Sequence, residues 1–364
     1  MGIVRLCEKQ EVEIEEFRRM LLSYAGGVQT RKHQVEFRDQ PVTAALGGND
    51  GVAEEKLVCV TSGVSFLGLA IVNRLLIRGY SVRIVVTNEE DMEKLRETEL
   101  SGEMIGANNR VIAVMADLTD VHNLSQAFDG CRGVFHTAAF VDPAGLSGYS
   151  KSMVDIEVKT SENVMEACSG TSSVRNCVLT SSLLACIWRD NSQSDVSSIV
   201  DHNSWSDESI CVDKKLWYAL GKLRAEKAAR RTAEQRGLNL VTICPGLITG
   251  PEFCHRNPTA TIAYLKGAQE MYAYGLLATV DVNRLAEAHV CTFEEMGKTV
   301  FGRYVCFDRV IQSEDEAEEL AREMGMQTNM ISGNSSGSSS FRFELSNVKL
   351  SRLMTRTLRC INEC

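Results

Sequence analysis

No stretch of the 364-residue chain approaches the roughly 20 consecutive apolar residues that a membrane-spanning helix needs, and the opening MGIVRLCEKQEVEIEEF lacks the apolar run of a secretory signal. The cytoplasm is the expected location. Basic charge is also short: 39 Lys and Arg stand against 48 Asp and Glu, a formal net charge of -9. Binding a polyphosphate requires a basic surface that releases counterions, so no nucleic-acid partner is expected. There is no Cys-x-x-Cys pair, and the six histidines fall at no metal-ligand spacing, so no metal is expected either. The 13 cysteines are scattered through apolar segments, as with Cys59, Cys177, Cys244 and Cys306, and read as reduced core thiols. Cys360 and Cys364 belong either to a redox-active tail or to a mobile end.

The length suits one large α/β domain with a smaller lobe. Ile14, Phe17 and Leu21 recur at helical spacing within residues 10–23, and a polar, irregular stretch comes next, so residues 1–55 read as a helix and a loose linker. From Lys56 short apolar runs alternate with helix-period segments: LVCVTS (57–62), SVRIVV (81–86), RVIAVMADL (110–118), GVFHTAA (133–139), NCVLTSSLLACIW (176–188) and NLVTICPGLITG (239–250). Continuous apolar strands with intervening helices predict a Rossmann-type, doubly wound parallel sheet over residues 56–250, with ligands at the carboxyl ends of the strands. After Pro251 the pattern predicts helices at 261–276 and 281–296, a strand at 303–307 and an acidic helix at 313–325, together a small substrate lobe over 251–327. The Ser- and Gly-rich run at 332–340 makes residues 328–364 a flexible tail.

The first strand runs through Thr61-Ser62-Gly63-Val64-Ser65-Phe66-Leu67-Gly68 into a helix. Such a turn presents backbone N–H groups and a positive helix end to a pyrophosphate. Of the three glycine positions usual in this turn, only Gly68 is filled by glycine; Ser62 and Ser65 hold the others and Gly63 is displaced by one. The turn either binds a nucleotide or has lost its ligand. Around the end of the second strand, Arg83 and Asn88 are cofactor candidates, while Glu89 to Asp91 read better as the acidic first turn of a helix. Asp117, beside Leu118 after the third strand, either accepts from an adenine amino group or caps the next segment of chain.

The sharper signal is Trp217-Tyr218-Ala219-Leu220-Gly221-Lys222 at the head of a helix. Residues four apart share a helix face, so the Lys222 ammonium lies near the Tyr218 phenol, which can protonate a carbonyl oxygen as hydride arrives. Thr180-Ser181-Ser182 ends the fifth strand, where a serine hydroxyl, Ser182 in preference to Ser181, can donate to the same oxygen. The bland alternatives are a chance Tyr-x-x-x-Lys match and a strand-end serine bonded to backbone.

Taken together, these motifs resemble the cinnamoyl-CoA reductase and dihydroflavonol reductase family of extended short-chain dehydrogenases/reductases. The likeness spans about residues 56–325 and rests on Val60-Thr61 before the turn, RGYSVR, MADLTD, FDGCRGVFHTAA, VLTSSLLAC, WSDESIC followed by KLWYALGK, and CPGLITGP. It implies a catalytic Ser182, Tyr218 and Lys222, with Lys222 also on the nicotinamide ribose. Thr61, Ser62, Gly63, Ser65, Phe66 and Leu67 would meet the phosphates, His136, Thr137 and Ala138 would border the cofactor, and Pro245, Gly246 and Ile248 would line the nicotinamide. NADPH, or NADH, would reduce an acyl-CoA thioester or a related phenylpropanoid carbonyl. Two departures concern specificity. Thr87 stands where the family carries an arginine for the 2′-phosphate, and Ala263 replaces the histidine of the coenzyme A motif, leaving Lys266 as the substrate-binding candidate. The competing expectations are a silent Rossmann protein acting by contact and a ketone or aldehyde reductase of the same fold.

Overall fold

The computed structural model describes residues 56–105, 110–137, 149–189, 198–297, 300–333 and 343–362. The helix expected at 10–23 and the linker to residue 55 lie outside them, as does Ala138. The chain begins β1 (Leu57–Val60), α1 (Phe66–Ile77), β2 (Ser81–Val86), α2 (Glu89–Ser101), β3 (Val111–Met115), α3 (Val121–Phe128), β4 (Gly133–His136), α4 (Lys151–Gly170) and β5 (Asn176–Thr180). It continues through α5 (Leu184–Ile187), β6 (Ile199–Val200), α6 (Glu208–Asp213), α7 (Trp217–Arg236), β7 (Asn239–Pro245) and β8 (Leu247–Thr249). It closes with α8 (Phe253–Arg256), α9 (Pro258–Leu265), α10 (Ala268–Tyr274), β9 (Ala278–Asp281), α11 (Val282–Glu295), β10 (Gly302–Cys306), β11 (Arg309–Val310), α12 (Glu314–Glu323), α13 (Asn329–Ser332), β12 (Glu344–Leu345) and α14 (Val348–Asn362).

Seven strands form one all-parallel sheet in the order β3-β2-β1-β4-β5-β7-β10. The chain runs outward from β1 to β3 and then crosses back to β4, so the switch in strand order falls between β1 and β4. There the strands' carboxyl ends leave a crevice between helices that depart to opposite faces. The apolar runs are continuous because both faces are covered. In β1, Val58 and Val60 join the core beneath α1 and α11, while Cys59 between them joins the core beneath α3 and α4. Helix starts are set by side chains: Asn88, Asp120, Asp281 and Ser313 each accept a first-turn N–H.

The lobe expected over 251–327 is not separate from the sheet. β10 pairs with β7 as its seventh strand, and α11 packs on α1. β9 pairs in parallel with β8 and antiparallel with β11, a small sheet that periodicity did not predict because its strands have only two to four residues. The flexible tail is corrected too. β12 pairs with β6, and α14 lies against α11 and β10 with Leu350, Leu353 and Met354 buried. Ten cysteines among the described residues, from Cys59 to Cys306, are buried, free thiols, and among those residues no helix is long and apolar enough to cross a membrane.

Candidate active site

One cleft opens at the carboxyl edge of the sheet. It is lined by Ser62, Ser65, Phe66 and Leu67 from the β1–α1 turn, Thr137 after β4, Thr180 to Ser182 after β5, Tyr218 and Lys222 on α7, and Pro245 to Ile248 between β7 and β8. These come from the ends of separate strands and meet at one place because the parallel sheet sends every strand the same way.

At the first turn, Ser65 is the N-cap of α1: its hydroxyl donates to Ser62 O at 2.7 Å and accepts the Gly68 N–H at 3.1 Å. Gly68 is obligatory there, since a Cβ would run into the carbonyl oxygen of Ser62. The amides of Phe66 and Leu67 head the helix, where N–H groups have no partner within the helix. Thr61 and Gly63 support the turn from behind: Thr61 Oγ1 bonds His136 Nδ1 at 3.1 Å, and Gly63 leaves room only for Ile84. Burial, with Lys222 adding to it, pushes His136 down to about 3, so the ring is neutral.

The two serines after β5 divide. Ser181 Oγ donates to Glu226 Oε2 at 2.8 Å, and Glu226 in turn holds Arg303 at 2.6 Å. Ser182 Oγ accepts only the Leu184 N–H, at 3.2 Å, so its own proton is left for a ligand. Thr180 donates to His289 Nε2 at 2.8 Å, because His289 Nδ1 sits 2.8 Å from the Leu285 carbonyl and must be the protonated nitrogen.

Tyr218 and Lys222 occupy the first turns of α7, with the Lys222 Nζ 5.7 Å from the centre of the Tyr218 ring. Lys222 is 4% exposed and pairs at 2.6 Å with Glu157 of α4, itself 3% exposed. The other oxygen of Glu157 accepts from Tyr149, whose ring meets that of Tyr218 edge-on at 5.2 Å and 78°. Gly221 permits this approach, because a Cβ there would collide with the Tyr149 hydroxyl. Burial raises the Tyr218 phenol above its ordinary value, Lys222 lowers it and Glu157 raises it. Burial opposes the charge on Lys222, but Glu157 and Tyr218 more than offset it and hold the ammonium above its ordinary range.

Several expected cofactor contacts lie away from this lining. Arg83 turns its guanidinium to the Ala127 and Asp129 carbonyls at 2.7 Å, closing the end of α3. Asn88 caps α2, and Asp117 accepts from the N–H and hydroxyl of Thr119 at 2.8 Å. Leu118 and His136 are buried away from the lining. Lys266 ends α9 outside the cleft, which that helix instead lines with Thr259, Ala260, Thr261, Ala263 and Tyr264, preceded by Asn257. Sequence reasoning missed Glu157, Tyr149 and Tyr264. A signal for Glu157 existed: a carboxylate occupying a core position in the stripe Met153, Glu157, Thr160, Val164.

A parallel sheet in this order, with a helix-borne Tyr and Lys at its carboxyl edge, is the architecture of the Rossmann-type NAD(P)-dependent oxidoreductases. Within that class the chain belongs to the 3-beta hydroxysteroid dehydrogenase/isomerase family, which residues 59–327 match. It is 36% identical over 274 residues to cinnamoyl-CoA reductase 1 of Petunia hybrida, covering 73% of this chain and 77% of that one. The fold is similar to that of vestitone reductase from alfalfa (TM-score 0.60, 24% identity, covering 84% and 98% of the two chains). It is also similar to a yeast methylglyoxal/isovaleraldehyde reductase complexed with NADPH (TM-score 0.61, 20% identity, 82% and 93%).

Proposed function

We propose that the chain is an NADPH-dependent reductase of a phenylpropanoid-type carbonyl, acting on a hydroxycinnamoyl-CoA thioester to give the aldehyde, in the cytoplasm. The convergence of Ser182, Tyr218 and Lys222 on one cleft with the β1–α1 turn carries this reading. The cleft suits a nicotinamide cofactor on two observations: the first-turn amides of Phe66 and Leu67 border it, and the buried hydroxyl of Thr137 on its wall has no hydrogen-bond partner. Bound NADPH would supply the hydride to the carbonyl carbon. Ser182 donates a hydrogen bond to the carbonyl oxygen, and Tyr218 supplies the proton that neutralises it or stabilises the oxyanion by donation. Lys222 keeps a positive charge beside both. With a thioester the adduct stays an oxyanion held by hydrogen bonds from Ser182 and Tyr218, its collapse breaks the carbon–sulfur bond, and coenzyme A leaves as a thiolate that takes its proton from solvent.

The experiment is a fluorescence titration of the purified protein with NADPH and NADH side by side, and then turnover of hydroxycinnamoyl-CoA thioesters with free coenzyme A as the readout. Saturable NADPH binding and stoichiometric coenzyme A release are expected. Turnover without coenzyme A would assign a ketone or aldehyde substrate, and no binding of either nucleotide would leave a protein acting by contact alone.

A further inference from the structure

The pair formed by Glu157 and Lys222 sits against the cleft with both side chains at most 5% exposed. Taking two charges out of water costs several kcal/mol per ion, and such a pair is poor evidence of a contribution to stability. Its geometry suggests another role. One oxygen of Glu157 holds Lys222, the other holds Tyr149, and both of these groups lie beside the Tyr218 ring, the Lys222 Nζ 5.7 Å and the Tyr149 ring 5.2 Å from its centre. A single carboxylate on α4 therefore governs two of the side chains that surround the phenol on α7.

We propose that Glu157 is a positioning residue of the reductive site, which grips Lys222 and Tyr149 and keeps both protons on the Lys222–Tyr218 pair until the phenol gives its own to a substrate oxygen. The inference rests on the reductase reading for its purpose, but not for its physical content. With Glu157 charged, the protonated pair and the carboxylate sum to zero, and removing a proton from either Lys222 or Tyr218 leaves a net negative charge buried in the site. Without Glu157 the protonated pair carries an unbalanced positive charge, and losing a proton relieves it. Removing the carboxylate takes away the repulsion that opposes a phenolate at Tyr218, so the phenol ionises at lower pH.

The other titratable groups facing the pair do not replace the carboxylate. His136 on β4 is neutral, Tyr149 ahead of α4 is pushed up by burial and by Glu157, and Tyr264 on α9 is pushed up by burial and then by Tyr218. Glu157 is the carboxylate that acts on both Tyr218 and Lys222.

The test begins with the phenolate absorbance of the cofactor-free protein as pH is raised, using Tyr218→Phe in each background to isolate the Tyr218 signal. In Glu157→Gln that signal should appear at least about one pH unit below its wild-type onset. With a substrate in hand, the alkaline limb of kcat should move down by the same interval. Glu157→Asp, which keeps the charge, should return most of it. Should Glu157→Gln not fold, as judged by circular dichroism, Glu157→Asp alone must still move the onset downward by a smaller amount, because its carboxylate is one methylene further from Lys222. An unchanged Tyr218 onset in a folded Glu157→Gln protein, or in Glu157→Asp where it is the only folded variant, overturns the proposal. The absorbance arm needs no turnover, so an inactive protein with a shifted phenol would count against the reductase reading and not against this one.

Discussion

The Ser181 hydroxyl donates to Glu226 over 2.8 Å, and that bond separates two adjacent serines by role. Glu226 is 1% exposed and also binds Arg303, so Ser181 satisfies part of a buried charge while Ser182 faces the cleft with a proton to give. Ser181→Ala should lower unfolding free energy by about 1–3 kcal/mol in urea denaturation, with its main effect on stability. Ser182→Ala should lower kcat by about 10²–10³-fold with little change in melting temperature. The reverse pattern would reassign the catalytic hydroxyl to Ser181.

The phosphate turn yields a second pair of substitutions. Ser65 spends its hydroxyl on the Gly68 amide, one of the donors an anion at this helix end would use. Ser65→Gly frees that amide, and replacing a serine cap by glycine costs only a few tenths of a kcal/mol, so NADPH should bind more tightly in a fluorescence titration. Gly68→Ala forces a Cβ against the Ser62 carbonyl and should abolish binding. Weaker binding in Ser65→Gly would mean that the serine hydroxyl itself meets the phosphate.

The parallel sheet was legible because strands buried on both faces are written as unbroken apolar runs; the position of Ser182 came from where one of those runs ends, and that of Tyr218 from its four-residue spacing to Lys222 on a helix. Short elements were not: β6, β8, β9, β11 and β12 have between two and four residues and no period to read. The pattern of α14 was present but masked. Leu350, Leu353, Met354 and Thr357 keep helical spacing and are all buried, but they come after a Ser- and Gly-rich run whose composition suggested a loose tail. Arg83 and Asp117 illustrate a different limit. Each was expected from the sequence to meet a nucleotide, and only the folded chain reveals that backbone carbonyls hold Arg83 and that Asp117 accepts from Thr119. The partner of Glu157 was hidden, although its core position was not, because pairing across α4 and α7 joins residues 65 apart in sequence.

Two buried histidines make stability depend on acid. His289 is lowered to about 4 by burial against a small opposing effect of its bond to Leu285, and His136 to about 3 by burial and Lys222. Both are neutral when folded and take up a proton below about 6.5 when unfolded. Their contribution is therefore complete above pH 6.5 and is lost as pH falls from there through the folded values, at about 1.4 kcal/mol per pH unit for each. Denaturation at a series of pH values between 7.5 and 4.5 should give a slope near two protons from these residues. In His289→Gln the slope should fall by about one proton, and an unchanged slope would remove His289 from this account.

Tyr264 yields the last prediction, on substrate choice. Its side chain lines the cleft from α9, is 4% exposed, and its hydroxyl makes no well-formed hydrogen bond within the protein, the Leu247 backbone being its polar neighbour. Leaving a buried hydroxyl unpaired costs about 1–3 kcal/mol, a cost that a ligand oxygen in the cleft would remove. Tyr264→Phe should then fold as stably as the wild type or more so, by up to about 1 kcal/mol. A substrate that presents an oxygen to this position should lose about 10-fold in kcat/KM, corresponding to about 1.4 kcal/mol, while one lacking that oxygen should be unaffected. Hydroxycinnamoyl-CoA and cinnamoyl-CoA form a suitable pair, differing by one ring hydroxyl. Equal responses of the two in Tyr264→Phe would show that the hydroxyl does not read the ring oxygen, and its partner would have to be sought on the carbonyl or the cofactor.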